Sequence, residues 1–232
     1  MSKTTDILQQ TKIVEKFLEE YGHLYDERER DYLKRNWQYH LNSRFNMDIL
    51  RQMYSELGLV DEKDNIYVGF LKILEENFDC NRDIIEVGGG RIPSLAKLIA
   101  LKQKKGTITV YDPRLLTTKS PYQNMVLKQE KFTKDTPVRE DQLVIAFMPC
   151  EATEPAVLAA TKNKADFVIG LCEGGPHGDE YDYFESEDEW LSSILYTART
   201  QVEKKGLGEL MVTDLKEYND PYPVIYNKRK KL

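Results

Sequence analysis

The chain of 232 residues contains no apolar run near the ~18 residues that a membrane-spanning helix requires. Its first ten residues, Met1 to Gln10, are polar and lack the apolar core of a signal peptide. Both absences favour a soluble, cytoplasmic protein and exclude a membrane partner. Cysteine is scarce: Cys80, Cys150 and Cys172 are odd in number and far apart, which argues against a disulfide framework and against a CxxC zinc site. Reduced, mostly buried thiols are expected instead. Histidine is scarce too, and no second His stands at ligand spacing from His177, so no metal is expected. Internal repeats and low-complexity tracts are absent.

What the chain does have is segregated charge. The net charge of −6, from 33 Lys and Arg against 39 Asp and Glu, disfavours a nucleic-acid partner when taken over the whole protein. Residues 91–139 nevertheless carry eleven basic side chains against three acidic ones, which keeps that partner class open. Residues 173–190 carry eight acidic side chains and no Lys or Arg. The terminal Lys228-Arg229-Lys230-Lys231 reads as a solvated end rather than a targeting signal. Nothing in the sequence specifies an oligomeric state.

Two regions differ in periodicity. Residues 1–65 repeat apolar positions at helical spacing, as in Ile7, Val14, Phe17, Leu18 and Tyr21, and predict two or three helices forming a cap. An aromatic face from Tyr25 through Tyr32, Trp37, Tyr39 and Phe45 to Tyr54 fits packing between those helices. From 66 to 232 a helix at Ile66 to Phe78 precedes strand-like runs that alternate with helical ones. The runs are Asp83 to Val87, a helix from Pro93 to Lys104, Thr107 to Tyr111, Val126 to Phe132 and Gln142 to Phe147. They continue with a helix from Pro155 to Asn163, Asp166 to Leu171, a helix from Glu187 to Lys204, Gly208 to Asp214 and Tyr222 to Tyr226. This alternation predicts an α/β three-layer sandwich around a mostly parallel seven-stranded sheet. The last two runs are separated by too few residues for a crossover helix, so they should close the sheet as an antiparallel hairpin. Pro93 and Pro155 fit first-turn helix positions, and Ser186 with Glu189 forms a capping-box pattern.

The most informative stretch is Ile84-Ile85-Glu86-Val87-Gly88-Gly89-Gly90, a strand running into a glycine turn and a helix. Such a turn lets the backbone approach a nucleotide or nucleoside cofactor. Asp112, directly after the second predicted strand, is placed to accept hydrogen bonds from ribose hydroxyls. Both a nicotinamide or flavin dinucleotide and S-adenosylmethionine use this arrangement. Arg91 follows the glycines near a helix N-terminus, where it would meet an anionic group of the ligand, Glu86, or solvent.

The spacing Glu86-Val87-Gly88-Gly89-Gly90 resembles the first motif of class I, Rossmann-like S-adenosylmethionine-dependent methyltransferases, in which an acidic residue precedes alternating glycines. The family's third glycine is replaced here by Ile92. The expected C-terminal hairpin is similar to the one that closes the sheet in that family. The resemblance implies S-adenosylmethionine as cofactor, held by Glu86, Gly88, Gly89, Gly90, Arg91, Asp112 and Phe147, and direct methyl transfer to an acceptor that the sequence does not name. A binding protein of the same fold that has lost catalysis, and a NAD-binding oxidoreductase, remain as alternatives.

The ends of the later strands carry the remaining candidates. Phe147-Met148-Pro149-Cys150-Glu151 lacks the Asn/Asp-Pro-Pro-aromatic sequence of methyltransferases acting on exocyclic amines of bases, which disfavours that acceptor. Pro149-Cys150 superficially matches the nucleophile of cytosine-C5 methyltransferases, but the family's other motifs are missing, and Cys150 is expected to pack at a strand end. Glu173 and His177, in the glycine-rich loop after the fifth strand, are the candidate proton acceptors. The acidic and aromatic residues from Asp179 to Glu189 either form a rim for a cationic partner or favour a helix dipole.

Overall fold

The computed structural model describes residues 12, 14–42, 66–172, 184–215 and 223–229. Helix α1 covers residues 14–21, and a 3-10 turn at Gly22–Leu24 leads into α2, Glu27–Asn42. Next come α3 (Ile66–Asn77), β1 (Ile84–Val87), α4 (Ser94–Lys102), β2 (Ile108–Tyr111), β3 (Met125–Lys128) and β4 (Leu143–Phe147). A 3-10 turn at Cys150–Ala152 runs straight into α5 (Thr153–Lys162), followed by β5 (Asp166–Gly170), α6 (Glu187–Lys205), β6 (Glu209–Asp214) and β7 (Pro223–Lys228). No helix among the described residues is long and apolar enough to cross a membrane.

The seven strands form one sheet in the order β3-β2-β1-β4-β5-β7-β6. Every neighbouring pair from β3 to β5 is parallel, and β7 is antiparallel to both β5 and β6. The α/β sandwich with a closing antiparallel hairpin is therefore the architecture expected from the alternation and implied by the methyltransferase resemblance.

Strand parity divides the core into two layers. Ile84, Ile108, Ile145, Phe147 and Val168 face a layer that includes Phe17, Leu33, Phe70, Leu74 and Leu95. Ile85, Val87, Val144, Ala146 and Phe167 face the other, with Val157, Ala160, Trp190 and Ala198 from α5 and α6. Strands β1, β4 and β5 are buried along their whole length, as expected where helices cover both faces of a parallel sheet. Residues of α1 and α2 thus share a hydrophobic cluster with the sheet. Of the aromatic face, Tyr25 is buried in that cluster, while the side chains from Trp37 to Tyr54 lie outside the described residues.

Local chemistry sets several boundaries. The Ser186 hydroxyl caps α6 by accepting from Glu189 N–H at 3.2 Å. The Glu189 carboxylate reaches back to Glu185 N–H at 2.7 Å, one residue further than in a standard capping box. Glu187, Asp188 and Glu189 all sit in the first turn of α6, where the helix dipole favours them. The helix ends at Gly206 (φ 66), with Gly206 N–H bonded to Glu203 C=O and Leu207 N–H to Val202 C=O, a Schellman arrangement.

Three expectations are corrected, and a fourth is refined. β3 is Met125–Lys128, not Val126 to Phe132, because Phe132 leaves the sheet and packs edge-on against Tyr111 with ring centroids 5.4 Å apart. Pro93 immediately precedes α4 rather than entering its first turn, whereas Pro155 does lie within the first turn of α5. β7 extends to Lys228, beyond the expected Tyr226. Arg229 is exposed, as expected of a solvated end, but it is also tethered, since its Nε donates to Asp166 Oδ1 at 2.8 Å, while Arg82 Nη2 holds Asp166 Oδ2 at 2.9 Å. Asn227 completes this cluster by donating to Asp166 at 2.9 Å and accepting from Phe167 N–H at 2.8 Å.

Candidate functional site

β2 and β3 lie on one side of β1, and β4 and the later strands on the other. The chain therefore reverses its direction of sheet building between β1 and β4. Connections leave the carboxyl ends of these two strands in opposite directions and open a crevice there, the usual place for a ligand in an open α/β sheet. A cleft of about 340 Å³ occupies this position. Its walls are Val87 and Gly88 after β1, Tyr111 to Arg114 after β2, Lys131 and Phe132, and Pro149 to Ala152 after β4.

The glycine turn is shaped by two different needs. Gly88 (φ 77) and Gly90 (φ 73) adopt left-handed conformations that side chains resist. These conformations aim Gly88 N–H at Tyr111 C=O (2.9 Å) and Gly90 N–H at Asp112 Oδ2 (2.8 Å). Gly89 is needed for space, because a Cβ there would stand 2.7 Å from Val110 Cγ1 and 3.1 Å from Pro93 Cβ. The same Cβ would lie 3.3 Å from Glu86 Oε2, so the Glu86 carboxyl packs directly beneath the turn.

Glu86 is 4% exposed, and its Oε2 finds no hydrogen-bond partner among the described residues. Burial pushes its pKa from 4.5 up to about 8, against a backbone hydrogen bond from Ala96 in α4 and with a further rise from the charge of Asp112. At neutral pH the carboxyl is therefore mostly protonated. Asp112 is also buried, yet it behaves oppositely. Burial acts to raise its pKa, but hydrogen bonds from the Arg114 side chain and backbone and from Gly90 outweigh that and hold it below the usual carboxylate range. Two acids beside one turn are thus set to opposite protonation states, Glu86 by burial and Asp112 by its hydrogen-bond partners.

The cleft wall carries groups that the sequence reading did not single out. Arg114 N–H donates to Asp112 Oδ1 at 2.7 Å, a turn closed by the aspartate itself. Outside the lining residues, Lys128 Nζ donates to the Oη of the wall residue Tyr111 at 2.8 Å and lies 4.7 Å from its ring centroid. Behind the turn, Lys97 of α4 is 1% exposed and forms an ion pair with fully buried Glu29 of α2 at 2.8 Å. Lys97 also donates to Leu24 C=O at 2.9 Å and sits 4.7 Å from the Tyr25 ring centroid. Burial raises the pKa of Glu29 and lowers that of Lys97, so desolvation acts on both partners more strongly than their attraction.

Of the seven residues implied as cofactor contacts, Gly88 and Asp112 line the cleft. Glu86, Gly89 and Gly90 belong to the turn and its support without being among the lining residues. Arg91 is not among the lining residues, and its guanidinium lies 5.7 Å from the Tyr32 ring centroid, on α2. Phe147 is a core residue: its ring is 5.2 Å from that of Phe70, and a Cβ on Gly170 would meet it at 2.6 Å. Glu173 and His177, with the acidic residues up to Tyr183, lie outside the described residues.

No family model matches the chain, and no curated protein matches it. Among solved structures it is similar to fibrillarin from Aeropyrum pernix in complex with natively bound S-adenosyl-L-methionine, at 16% identity over 70% of this chain and 76% of that one, TM-score 0.48. It is similar to a precorrin-6y C5,15-methyltransferase from Geobacter metallireducens at 14% identity over 74% of this chain and 91% of that one, TM-score 0.45. A putative rRNA-methylase from Clostridium thermocellum shares 13% identity over 75% of this chain and 100% of that one, TM-score 0.46. Likenesses of this size add nothing to what the strand order already states, and the functional reading rests on the chain's own residues.

Proposed function

We propose that the chain is an S-adenosylmethionine-dependent methyltransferase that uses the crevice between β1 and β4. The observation that carries this reading is Glu86: a buried carboxyl with an unsatisfied oxygen, pressed against a glycine turn in a sheet that ends in an antiparallel hairpin. A dinucleotide-binding turn would place an apolar residue there, since a buried carboxyl oxygen left without a partner costs roughly 1–3 kcal/mol. The residues present fit an adenosyl ligand. Asp112 would accept the ribose hydroxyls, Gly88 and Gly90 leave the turn open to close approach, and Tyr111 and Phe132 offer an aromatic wall to a flat ring.

When bound, the cofactor supplies an electrophilic methyl group. The protein's part is orientation and the exclusion of water. Glu173 or His177, which follow β5 in sequence, would take the proton from the acceptor. The segment of residues 1–65, which includes α1 and α2 and is anchored through Glu29 to Lys97, would cover the acceptor. Isothermal titration with S-adenosylmethionine and with S-adenosylhomocysteine tests the reading, and no heat with either at millimolar ligand would sink it.

A second reading, a binding protein of the same fold without catalysis, is favoured by one observation: the ribose-accepting oxygens of Asp112 are already engaged by Arg114. Incubation with methyl-labelled cofactor and fractionated cell extract separates the two. Label transferred to any fraction supports the enzyme, and binding without transfer supports the second reading.

A further inference from the structure

We propose that Cys150 and Cys172 are the two halves of a reversible disulfide at the wall of the cleft, formed by peroxide or by a low-molecular-weight disulfide. This inference does not depend on which ligand the cleft holds. The sheet itself brings the two thiols together. β4 and β5 are parallel with Phe147 opposite Gly170, and Met148 N–H extends the ladder by bonding to Gly170 C=O at 2.8 Å. Cys150 and Cys172 lie three and two residues beyond that register. Their sulfurs are 3.2 Å apart, and Cys150 N–H donates to Cys172 Sγ at 3.1 Å, which fixes the second sulfur against the first. A disulfide bond is about 2.05 Å long, so closure requires an approach of roughly 1 Å.

Access and reactivity differ between the two partners in the way a redox pair needs. Cys150 lines the cleft and is partly exposed, while Cys172 is 4% exposed behind it. The Arg114 guanidinium, on the same wall, interacts electrostatically with Cys150 and provides a cation beside an attacking sulfur. Met148 (φ 52) and Cys150 (φ 51) both hold positive φ, a conformation that side chains rarely adopt and that the surrounding structure holds in place, so this turn keeps the Cys150 sulfur where it is. With peroxide, the Cys150 thiolate attacks one oxygen, giving the sulfenic acid and, after protonation, one water. The Cys172 sulfur then attacks the Cys150 sulfur and expels the second oxygen as water. Two thiols and one peroxide thus become one disulfide and two waters. With a small disulfide, two exchanges release two small thiols and leave the same bond.

Cys80 is the internal control. It lies before β1, and burial together with Glu75 and Asp79 pushes its thiol from 9.0 up to about 11, leaving it about a hundredfold less thiolate than an ordinary cysteine at neutral pH. The test uses the full chain, treated with hydrogen peroxide or oxidised glutathione, alkylated with N-ethylmaleimide and digested without reduction. The expected product is one peptide pair joined through Cys150 and Cys172, lighter by two hydrogens and reopened by dithiothreitol, formed at least about tenfold faster than any loss of alkylation at Cys80. Cys80→Ser keeps the cross-link. Cys172→Ser converts Cys150 to a sulfenic acid or a glutathione adduct. The proposal is overturned if Cys172 stays fully alkylated while Cys150 proceeds to sulfinic acid, or if Cys80 reacts first.

Discussion

The guanidinium of Arg114 spans the carboxylate of Asp112, with Nε 3.2 Å from Oδ1 and Nη2 3.0 Å from Oδ2. The Asp112 carboxylate is nearly inaccessible while the Arg114 side chain is 65% exposed, so the arginine is the solvent-facing partner of the pair. A ribose that is to reach Asp112 from the cleft must take over bonds that Arg114 now makes.

Arg114→Ala is therefore expected to tighten binding of S-adenosylhomocysteine by about tenfold, a gain of ~1.4 kcal/mol in calorimetric titration. An equal loss of affinity would show instead that Arg114 touches the ligand. Asp112→Asn serves as the companion variant and should weaken binding whether or not Arg114 is present.

The buried Lys97 and Glu29 pair predicts a non-additive stability pattern. Lys97→Ala leaves the Glu29 carboxylate without its partner in the core and should cost about 3–5 kcal/mol in chemical denaturation. The double variant Lys97→Met, Glu29→Leu removes both charges and should recover most of that loss. Equal costs for the single and the double variant would mean that the pair acts only through its packing.

Glu86 predicts a pH dependence whose sign follows from its raised pKa. Below pH 4.5 the folded and unfolded states both carry the proton, and its contribution to stability is complete. Between 4.5 and about 8 the unfolded chain gives up the proton while the folded chain keeps it, so stability falls as pH rises, and it levels off above that. The fall is at most about 1.4 kcal/mol per pH unit. Glu86→Gln abolishes this slope, and its stability relative to the parent should rise from pH 4.5 to 8 in urea titrations. A difference that stays flat with pH would refute a protonated Glu86.

Gly89→Ala tests the turn without altering charge. The added methyl meets the Val110 side chain and Pro93 at once, and overpacking of this kind costs roughly 1–3 kcal/mol. Thermal unfolding should detect it, and a neutral result would show that the turn can shift away from β2.

Much of this was legible in the sequence, for reasons that can be traced. β1, α4, β2, β4 and β5 announced themselves through apolar runs bounded by Gly, Pro and Asp, and Ser186 with Glu189 marked the start of α6. Asp112 was found because a strand end points at the crevice. The face of Phe147 could also have been read, because it shares parity with Leu143 and Ile145 and so looks into the core layer. β3 was shifted because Phe132 supplied an apolar residue at strand spacing, and only the fold reveals that this ring is spent on Tyr111. The pairings of Lys97 with Glu29, Arg114 with Asp112, and Cys150 with Cys172 were not legible in the same way. Charge and thiol chemistry were visible at each position, but tertiary packing chooses the partner in the first and third cases, across 68 and 22 residues, and the local turn after β2 chooses it in the second.

The position of β7 has a consequence for how the protein is made. β6 touches the sheet only through β7, and β7 is inserted between β5 and β6 although it comes last in sequence among the strands. During synthesis the five strands from β1 to β5 can assemble as they emerge, but β6 must wait unpaired until residues 223–228 have left the ribosome. The Arg229 and Arg82 contacts with Asp166 then fasten the late strand to the opening of β1, so the last strand to emerge acts as the latch on a sheet begun some 140 residues earlier.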